Sequence, residues 1–370
     1  MKIVIVAPRA ASLLAFRGHL LRQMTGLGHE VIVVIPEIHD VVVATLTSWG
    51  IRHHVVPFSR TSLNPLADYK YFLHLRDLFR RHQPHLVFSY AVKPVIFGSL
   101  AARSAGVPHL ASMITGLGYA FTNVSFKQRL IRYALIRLYK RSLRTSRVVI
   151  FQNPDDSQLF DKLGIVPKAR TAVVNGSGVD TTIFSQQKTP QGERTVFLLM
   201  ARLLVSKGIR EYAEAARILK AQYQAVDFQL LGRFDHGPDG IAHEEIEQWT
   251  REGTIHYLGE ATDVRPHLAA CHAFVLPSYR EGTPRSVLEA MSTGRAIITT
   301  DAPGCRETVV DGGNGYLVPP RDASALAAAM QRLLDNPLLI EDMGAKSREL
   351  VQAKYDVALV NQAMLNALGL

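Results

Sequence analysis

From Ala273 the chain passes through an apolar stretch, Ala273–Pro277, into a polar loop, Ser278-Tyr279-Arg280-Glu281-Gly282-Thr283-Pro284, and then into a helix start at Val287–Met291. A short apolar run bounded by turn residues reads as a buried strand. A loop between such a strand and a helix offers backbone N–H groups and a helix N-terminus, which suit a phosphate or a polar sugar. Glu281 lies in that loop, and Glu289 lies in the first turns of the helix behind it. Two carboxylates so placed can grip hydroxyls at two ends of one ligand. Spacing alone serves a surface loop with two solvated acids equally well.

The same strand–loop–helix unit opens the chain. Lys2–Ala7 reads as a strand, Pro8–Leu14 as its loop, Arg17–Gly26 as a helix and Val31–Ile35 as a second strand. This is a βαβ pattern with a parallel sheet, whose ligands sit beyond the carboxyl ends of the strands. Further strands are expected at His85–Ser89, Val107–Met113 and Arg147–Gln152, with a helix over Leu66–Arg81. Arg60, Lys93 and the loop Thr115-Gly116-Leu117-Gly118 therefore follow strands on the ligand side. A polar stretch, Gln186–Arg194, holds Pro190 and Gly192 and reads as a linker. The pattern then restarts with a strand at Thr195–Met200, a loop at Ala201–Gly208 and a helix at Ile209–Gln222. Asp227–Leu231 is a strand that ends in Gly232-Arg233, and Ala296–Thr300 is another. With 370 residues, two domains are expected: 1–185 and 195–355, joined by 186–194 and followed by a helical segment, 356–370.

Charge is unevenly placed. The net charge is +10, yet residues 1–190 hold 24 Lys and Arg against 9 Asp and Glu. The first half is therefore suited to an anionic partner. The most basic stretch, Ser125–Arg147, carries eight cations and no acid. Phe126, Leu130, Ala134 and Leu138 recur in it every four residues, which makes an amphipathic helix with a cationic face. Such a helix suits an anionic membrane surface. A stripe packed on the domain core beneath solvated cations is the plainer alternative. Nucleic acid is not expected, because no binding motif is present and aromatics are not interleaved as stacking platforms. The two cysteines, Cys271 and Cys305, flank apolar strands, which points away from a disulfide framework or a zinc site. No window approaches 18 uninterrupted apolar residues, so no membrane span is expected.

Two motifs carry a resemblance. Leu-Pro-Ser-x-x-Glu281-Gly-x-Pro-x-x-x-Leu-Glu289-Ala, with Ala-Arg202-Leu-x-x-x-Lys207-Gly upstream, resembles the retaining glycosyltransferases of family 4. The resemblance runs over essentially the whole chain. It implies the α/β GT-B fold, two Rossmann-like doubly wound domains facing a central cleft, with the last helix crossing back to the first domain. By this resemblance Arg202 and Lys207 hold the donor diphosphate, Glu281 meets the donor sugar and Glu289 holds the ribose hydroxyls. Ser12, Gly232, Arg233, Gly282, Thr283, Pro284 and Arg285 belong to the same donor site. Arg17, Arg60, Lys93, Thr115 and Gly116 are expected to face the acceptor. Phe58-Ser-Arg-x-Ser-Leu-Asn-Pro65 and Gly116-Leu-Gly118 are similar to a branch of the family that transfers N-acetylhexosamines to polyprenyl-diphosphate-linked sugars.

That branch implies a UDP-sugar donor, a lipid-linked acceptor and work at the cytoplasmic face of the inner membrane. Two departures stand out. Ala10-Ala11 replace the paired glycines common near the donor diphosphate, and Ile114-Thr115-Gly116 stands where many members carry a histidine. His109, at the other end of that strand, does not replace it. No Asp-x-Asp triplet occurs, so neither a metal nor another cofactor is expected. A UDP-sugar epimerase on the same plan and a non-catalytic membrane-binding or nucleic-acid-binding protein are the alternatives.

Overall fold

The computed structural model describes residues 1–59, 62, 64–117, 121 and 126–370, apart from the side chains of 126–128. The chain divides into two compact units, Met1–Ser177 with Val360–Leu370, and Gly178–Leu359.

The first unit runs β1 (Lys2–Val6), α1 (Leu13–Gly26), β2 (Glu30–Ile35), α2 (Asp40–Ser48), β3 (Arg52–Val55), α3 (Pro65–His82) and β4 (Leu86–Tyr90). A π-helical turn, Pro94–Gly98, then leads into α4 (Ser99–Ser104). β5 (His109–Ile114), α5 (Phe126–Ser142), β6 (Val148–Phe151), α6 (Pro154–Lys162) and β7 (Thr171–Val173) follow. The strands form one parallel sheet in the order β3-β2-β1-β4-β5-β6-β7. Alternation along β1 shows why its sequence is apolar throughout. Ile3 and Ile5 pack with Leu20, Leu21 and Met24 of α1 on one face, while Val4 and Val6 pack with Tyr71, Leu75 and Phe79 of α3 on the other. A strand covered on both faces has no polar side to show. Two helices start on side-chain caps. Asn64 accepts from the N–H of Leu66 at 3.0 Å before Pro65, and Asn153 accepts from Asp156 at 2.8 Å before Pro154.

The second unit repeats the plan with β8 (Thr195–Met200), α7 (Ile209–Lys220), β9 (Val226–Leu231), α8 (His243–Arg251), β10 (His256–Tyr257), α9 (Arg265–Ala270) and β11 (Ala273–Leu276). It continues with α10 (Arg285–Ser292), β12 (Ala296–Thr300), β13 (Gly315–Val318), α11 (Ala323–Asp335) and α12 (Leu338–Lys354). Its parallel sheet has the order β10-β9-β8-β11-β12-β13. Phe197 and Leu199 of β8 pack with α7 and α11, whereas Leu198 and Met200 pack with α10 and Val351 of α12. Both sheets thus reverse direction beside their first strand, between β1 and β4 and between β8 and β11. A Rossmann-like sheet binds its ligand at that reversal.

The stretch Gln186–Arg194, read above as a linker, lies with the second unit. Arg295, fully buried, donates to the carbonyls of Gln187 at 3.2 Å and Lys188 at 3.0 Å, and Gln187 N–H reaches Thr293 O at 3.0 Å. The last helix, α13 (Val357–Leu368), buries Val360, Met364, Leu365 and Leu368 in the core of the first unit beside Ile3 and Ile5. Leu365→Ala is expected to destabilise the first unit by about 2–5 kcal/mol, the usual cost of emptying a buried leucine site. Urea unfolding followed at Trp49 in a Trp249→Phe background measures it. The transition followed at Trp249, in a Trp49→Phe background, is expected to keep its midpoint.

Candidate active site

The carboxyl ends of β8 and β11 lie side by side at the reversal of the second sheet, and their loops are pressed together by glycine. Gly208 adopts φ +72°, and a Cβ there would stand 2.2 Å from the carbonyl oxygen of Pro277. No L side chain fits that approach. Two further contacts tie the loops. Tyr279 N–H donates to Ser206 O at 2.9 Å, and the Lys207 ammonium is hydrogen-bonded to Oε1 of Glu281. Both side chains of that ion pair are mostly buried. A third loop, after β12, closes on the second. Glu281 N–H donates to Pro303 O at 2.9 Å, and a Cβ on Gly304 would sit 2.3 Å from Glu281 O. The fourth loop, after β9, approaches through Gly232, where a Cβ would fall 1.7 Å from Ala201 O.

Three cations of this site, Lys207, Arg202 and Arg285, are each held by a carboxylate. Arg202, more exposed, donates from Nη1 to Asp235 at 2.7 Å. Partial burial of Asp235 works against its ionisation, but the N–H of Gly237 and the Arg202 guanidinium outweigh that and hold its carboxyl below the usual range. Arg285 and Glu289, one turn apart on α10, are linked from Nε to Oε1 at 2.9 Å. Burial pushes the Glu289 carboxyl above the ordinary glutamate value, and Arg285 pulls it part of the way back. Gly282 and Pro284 are buried at the start of α10, beside Thr283.

Several participants have no signal in the two motifs. Tyr279 donates its hydroxyl to Glu211 of α7 at 2.6 Å, and the Arg321 guanidinium lies 4.6 Å over its ring. Burial, followed by the Glu211 bond, raises this phenol, so it remains a protonated donor at neutral pH. Asp239 accepts from the Ser206 hydroxyl and fixes the loop that carries Lys207. Asp235 and Asp239 lie in a Gly- and Pro-rich segment after a strand, which is the only mark the sequence offers of them.

Among the described candidates of the first unit, Ser12, Lys93, Thr115 and Gly116 lie in the segments that follow β1, β4 and β5, Arg17 lies on α1, and they differ in accessibility. Ser12 precedes α1, its hydroxyl 3.5 Å from Arg9 O. Arg17, expected to face the acceptor, is instead only 3% exposed. Its guanidinium lies 2.8 Å from the Met113 sulfur and 5.3 Å from the Tyr90 ring centre, so it serves the interior of this domain. Lys93 is also engaged, at 2.5 Å from Asp68 and 2.7 Å from Ser62 O. Thr115 and Gly116 follow β5, with Gly116 at φ +125°. Arg60 lies outside the described residues.

Comparisons with known proteins match both halves of the chain. A model of the family described as Glycosyl transferases group 1 matches residues 194–336, and one described as Glycosyl transferase 4-like domain matches 15–176. The N,N'-diacetylbacillosaminyl-diphospho-undecaprenol alpha-1,3-N-acetylgalactosaminyltransferase of Campylobacter jejuni is 30% identical, over 99% of this chain and 97% of that protein. The UDP-Gal:alpha-D-GlcNAc-diphosphoundecaprenol alpha-1,3-galactosyltransferase of Escherichia coli is 25% identical, over 78% of this chain and 76% of that one. Among solved structures, the sucrose-phosphate synthase of Thermosynechococcus elongatus superposes with a TM-score of 0.82 at 19% identity, covering 99% of this chain and 98% of its own. HepE of Anabaena in complex with UDP superposes at 0.77 and 19%, with both chains fully covered. The fold is GT-B, with two Rossmann-like domains. The chain belongs to the group 1, family-4-like glycosyltransferases, and it is an enzyme of sugar transfer.

The Glu289 pair gives a pH test. A carboxyl that titrates higher folded than unfolded costs stability as it ionises. That cost is present at pH 7 and vanishes below the unfolded value near 4.5, where the group is protonated in both states. Removing its counter-ion enlarges the cost. Arg285→Gln is therefore expected to lose about 1–3 kcal/mol at pH 7, the range for a hydrogen bond to a buried charge. Most of that loss is expected to disappear near pH 4. Paired thermal melts of wild type and variant at the two pH values measure it.

Proposed function

We propose that this glycosyltransferase moves a sugar from a UDP donor to a polyprenyl-diphosphate-linked sugar, with retention at the anomeric carbon, in bacterial glycan assembly. One observation supports it most: Lys207 and Glu281 pair across the loops at the reversal of the second sheet, beside Arg202 on the same loop, in a chain 30% identical, end to end, to a transferase whose name carries such an acceptor. N-acetylgalactosamine, the sugar in that relative's name, is the first donor sugar to test. HepE of Anabaena, which shares the fold, was solved with UDP bound, and that supports UDP as the donor nucleotide.

The chemistry follows from charge. Loss of the sugar leaves UDP with an additional negative charge on its terminal phosphate. Cations placed there stabilise the transition state more than the ground state. Lys207 and Arg202 fill that role, exchanging their carboxylate partners for phosphate oxygens as the donor enters. Glu281, released from Lys207, accepts from hydroxyls of the donor sugar, and Glu289 accepts from those of the ribose. The bond from the anomeric carbon to the diphosphate oxygen breaks. A bond from that carbon to the acceptor hydroxyl oxygen forms on the same face, and the acceptor proton passes to the departing phosphate. Cationic side chains carry the diphosphate in this scheme, so transfer proceeds without a metal. The acceptor's lipid keeps the enzyme peripheral at the cytoplasmic face of the inner membrane, with the basic segment Ser125–Arg147 toward anionic lipid. Among the described residues no helix is long and apolar enough to cross a membrane.

Label transfer from a panel of UDP-sugars to a short polyprenyl-diphosphate sugar, read in the organic phase, tests the proposal. One donor is expected to give lipid-extractable label, at an unchanged rate in EDTA. Lys207→Ala is expected to reduce kcat by about 10²–10³-fold, the usual loss when one group stabilising a transition-state charge is removed. Loss of donor sugar without label in lipid, or full turnover by Lys207→Ala, would sink the reading.

A further inference from the structure

The basic helix α5 does not pack as its four-residue spacing suggests. Ile131, Leu135 and Ile136 are partly buried, Tyr139 is fully buried, and most of this set joins the core beside β5 and β6. Leu130, 62% exposed, and Leu138, 37% exposed, instead stand on an open wall with Ala134. Across from them is α3, which presents Tyr69, 58% exposed, and Phe72. Phe97 and Leu100, from the π-helical turn and α4, make the floor. The result is a groove of about 1630 Å³ within the first unit, with more apolar than polar surface in its lining.

Its rim has one sign. Arg137, Lys140 and Arg141 border it from α5, Arg144 from the turn just after α5, and Arg103 from the end of α4. Asp68 also lines the groove, but its carboxylate is paired with Lys93. Arg137 is steadied by Tyr133, lying 4.8 Å from the centre of that ring and donating to its hydroxyl. An apolar trough beside four or five cations fits an anionic amphiphile: a hydrocarbon chain in the trough and phosphate at the rim. An exposed apolar stripe of this kind is a liability in water and marks an interaction site.

We infer that the groove between α3 and α5 holds the first prenyl units of the lipid acceptor, with its diphosphate against the α5 cations. This rests on the proposed acceptor class and adds where its chain lies. The occupant is a prenyl diphosphate because apolar side chains and cations line the same groove, which matches a hydrocarbon chain that ends in phosphate.

Binding of a chain-length series tests it without any transfer step: inorganic, dimethylallyl, geranyl and farnesyl diphosphate, followed by calorimetry. Wild type is expected to gain about tenfold in affinity per prenyl unit, as five carbons partly leave water. In Tyr69→Ser/Leu130→Ser/Tyr133→Ser, all at exposed positions, that gain is expected to vanish while affinity for UDP is kept. In Arg137→Gln/Arg141→Gln/Arg144→Gln, every member of the series is expected to weaken by one common factor. An affinity independent of chain length, or a gain that survives the triple serine variant, would overturn the inference. So would phosphatidylglycerol vesicles that bind through these residues while prenyl diphosphates do not, since that result would mark a bilayer-docking face. Wild type that transfers sugar to lipid yet shows no chain-length gain would fail the groove alone. Wild type that shows the gain but transfers nothing would fail the proposed activity alone.

Discussion

The missing side chain of Gly208 is the constraint on which the second domain's ligand end is built. A Cβ there would stand 2.2 Å from Pro277 O, so its absence lets the loop after β8 lie directly on the loop after β11. The ion pair between Lys207 and Glu281 depends on that approach, as does the bond from Tyr279 N–H to Ser206 O. The same device recurs at Gly232 against Ala201 and at Gly304 against Glu281. Four strand-end loops are therefore braced by backbone contact before any ligand arrives. Bracing of this kind lowers the ordering cost that binding would otherwise carry.

Electrostatic pairing complements that bracing. Arg202 with Asp235, Lys207 with Glu281 and Arg285 with Glu289 place three cations in the site without leaving a buried charge uncompensated. An unpaired buried ion would destabilise the fold by several kcal/mol. A carboxylate partner removes that cost and keeps the cation at the reversal of the sheet. A diphosphate can then replace one oxygen ligand by another, and the exchange frees Glu281 for the sugar. Cation placement and acid release are thus one event in the proposed scheme.

The strands and the site motifs were legible because both have a local signature. Strands buried on two faces are continuous apolar runs, and β1, β8, β11 and β12 stand out for that reason. Arg202, Lys207 and Glu281 sit in loops whose glycines and prolines announce them, and Glu289 follows on α10. Other elements lack such marks. α2 is rich in valine and threonine, Asp-Val-Val-Val-Ala-Thr-Leu-Thr-Ser, a composition that favours strands and hides a helix. β13 opens at Gly315, and α4 and α9 are single short turns of six residues each. Arg17, expected to face the acceptor, is instead buried by contacts distant in sequence, Tyr90 and Met113. Asp235 and Glu211 likewise gain their roles only from partners 33 and 68 residues away. Tertiary partners of this kind leave no trace in local spacing.

The charge asymmetry of the chain resolves once the helix is placed. Eight of the 24 cations in residues 1–190 fall within Ser125–Arg147, where no acid offsets them. Elsewhere in the first domain the cations are interspersed with acids or engaged, as Lys93 is with Asp68 and Arg52 with Glu30. The stretch Ser125–Arg147 supplies about half of the excess, since the 16 cations outside it still outnumber the 9 acids. That helix also carries Leu130, Tyr133 and Leu138 exposed among its arginines. A helix that only needed to stay dissolved would place polar residues at those positions, because exposed apolar side chains invite association. Charge by itself would serve a merely electrostatic contact with anionic lipid headgroups. The coexistence of exposed apolar side chains and a predominance of cations in one groove makes sense for a ligand that has both a hydrocarbon chain and phosphate, which is the chemistry of a lipid-diphosphate acceptor.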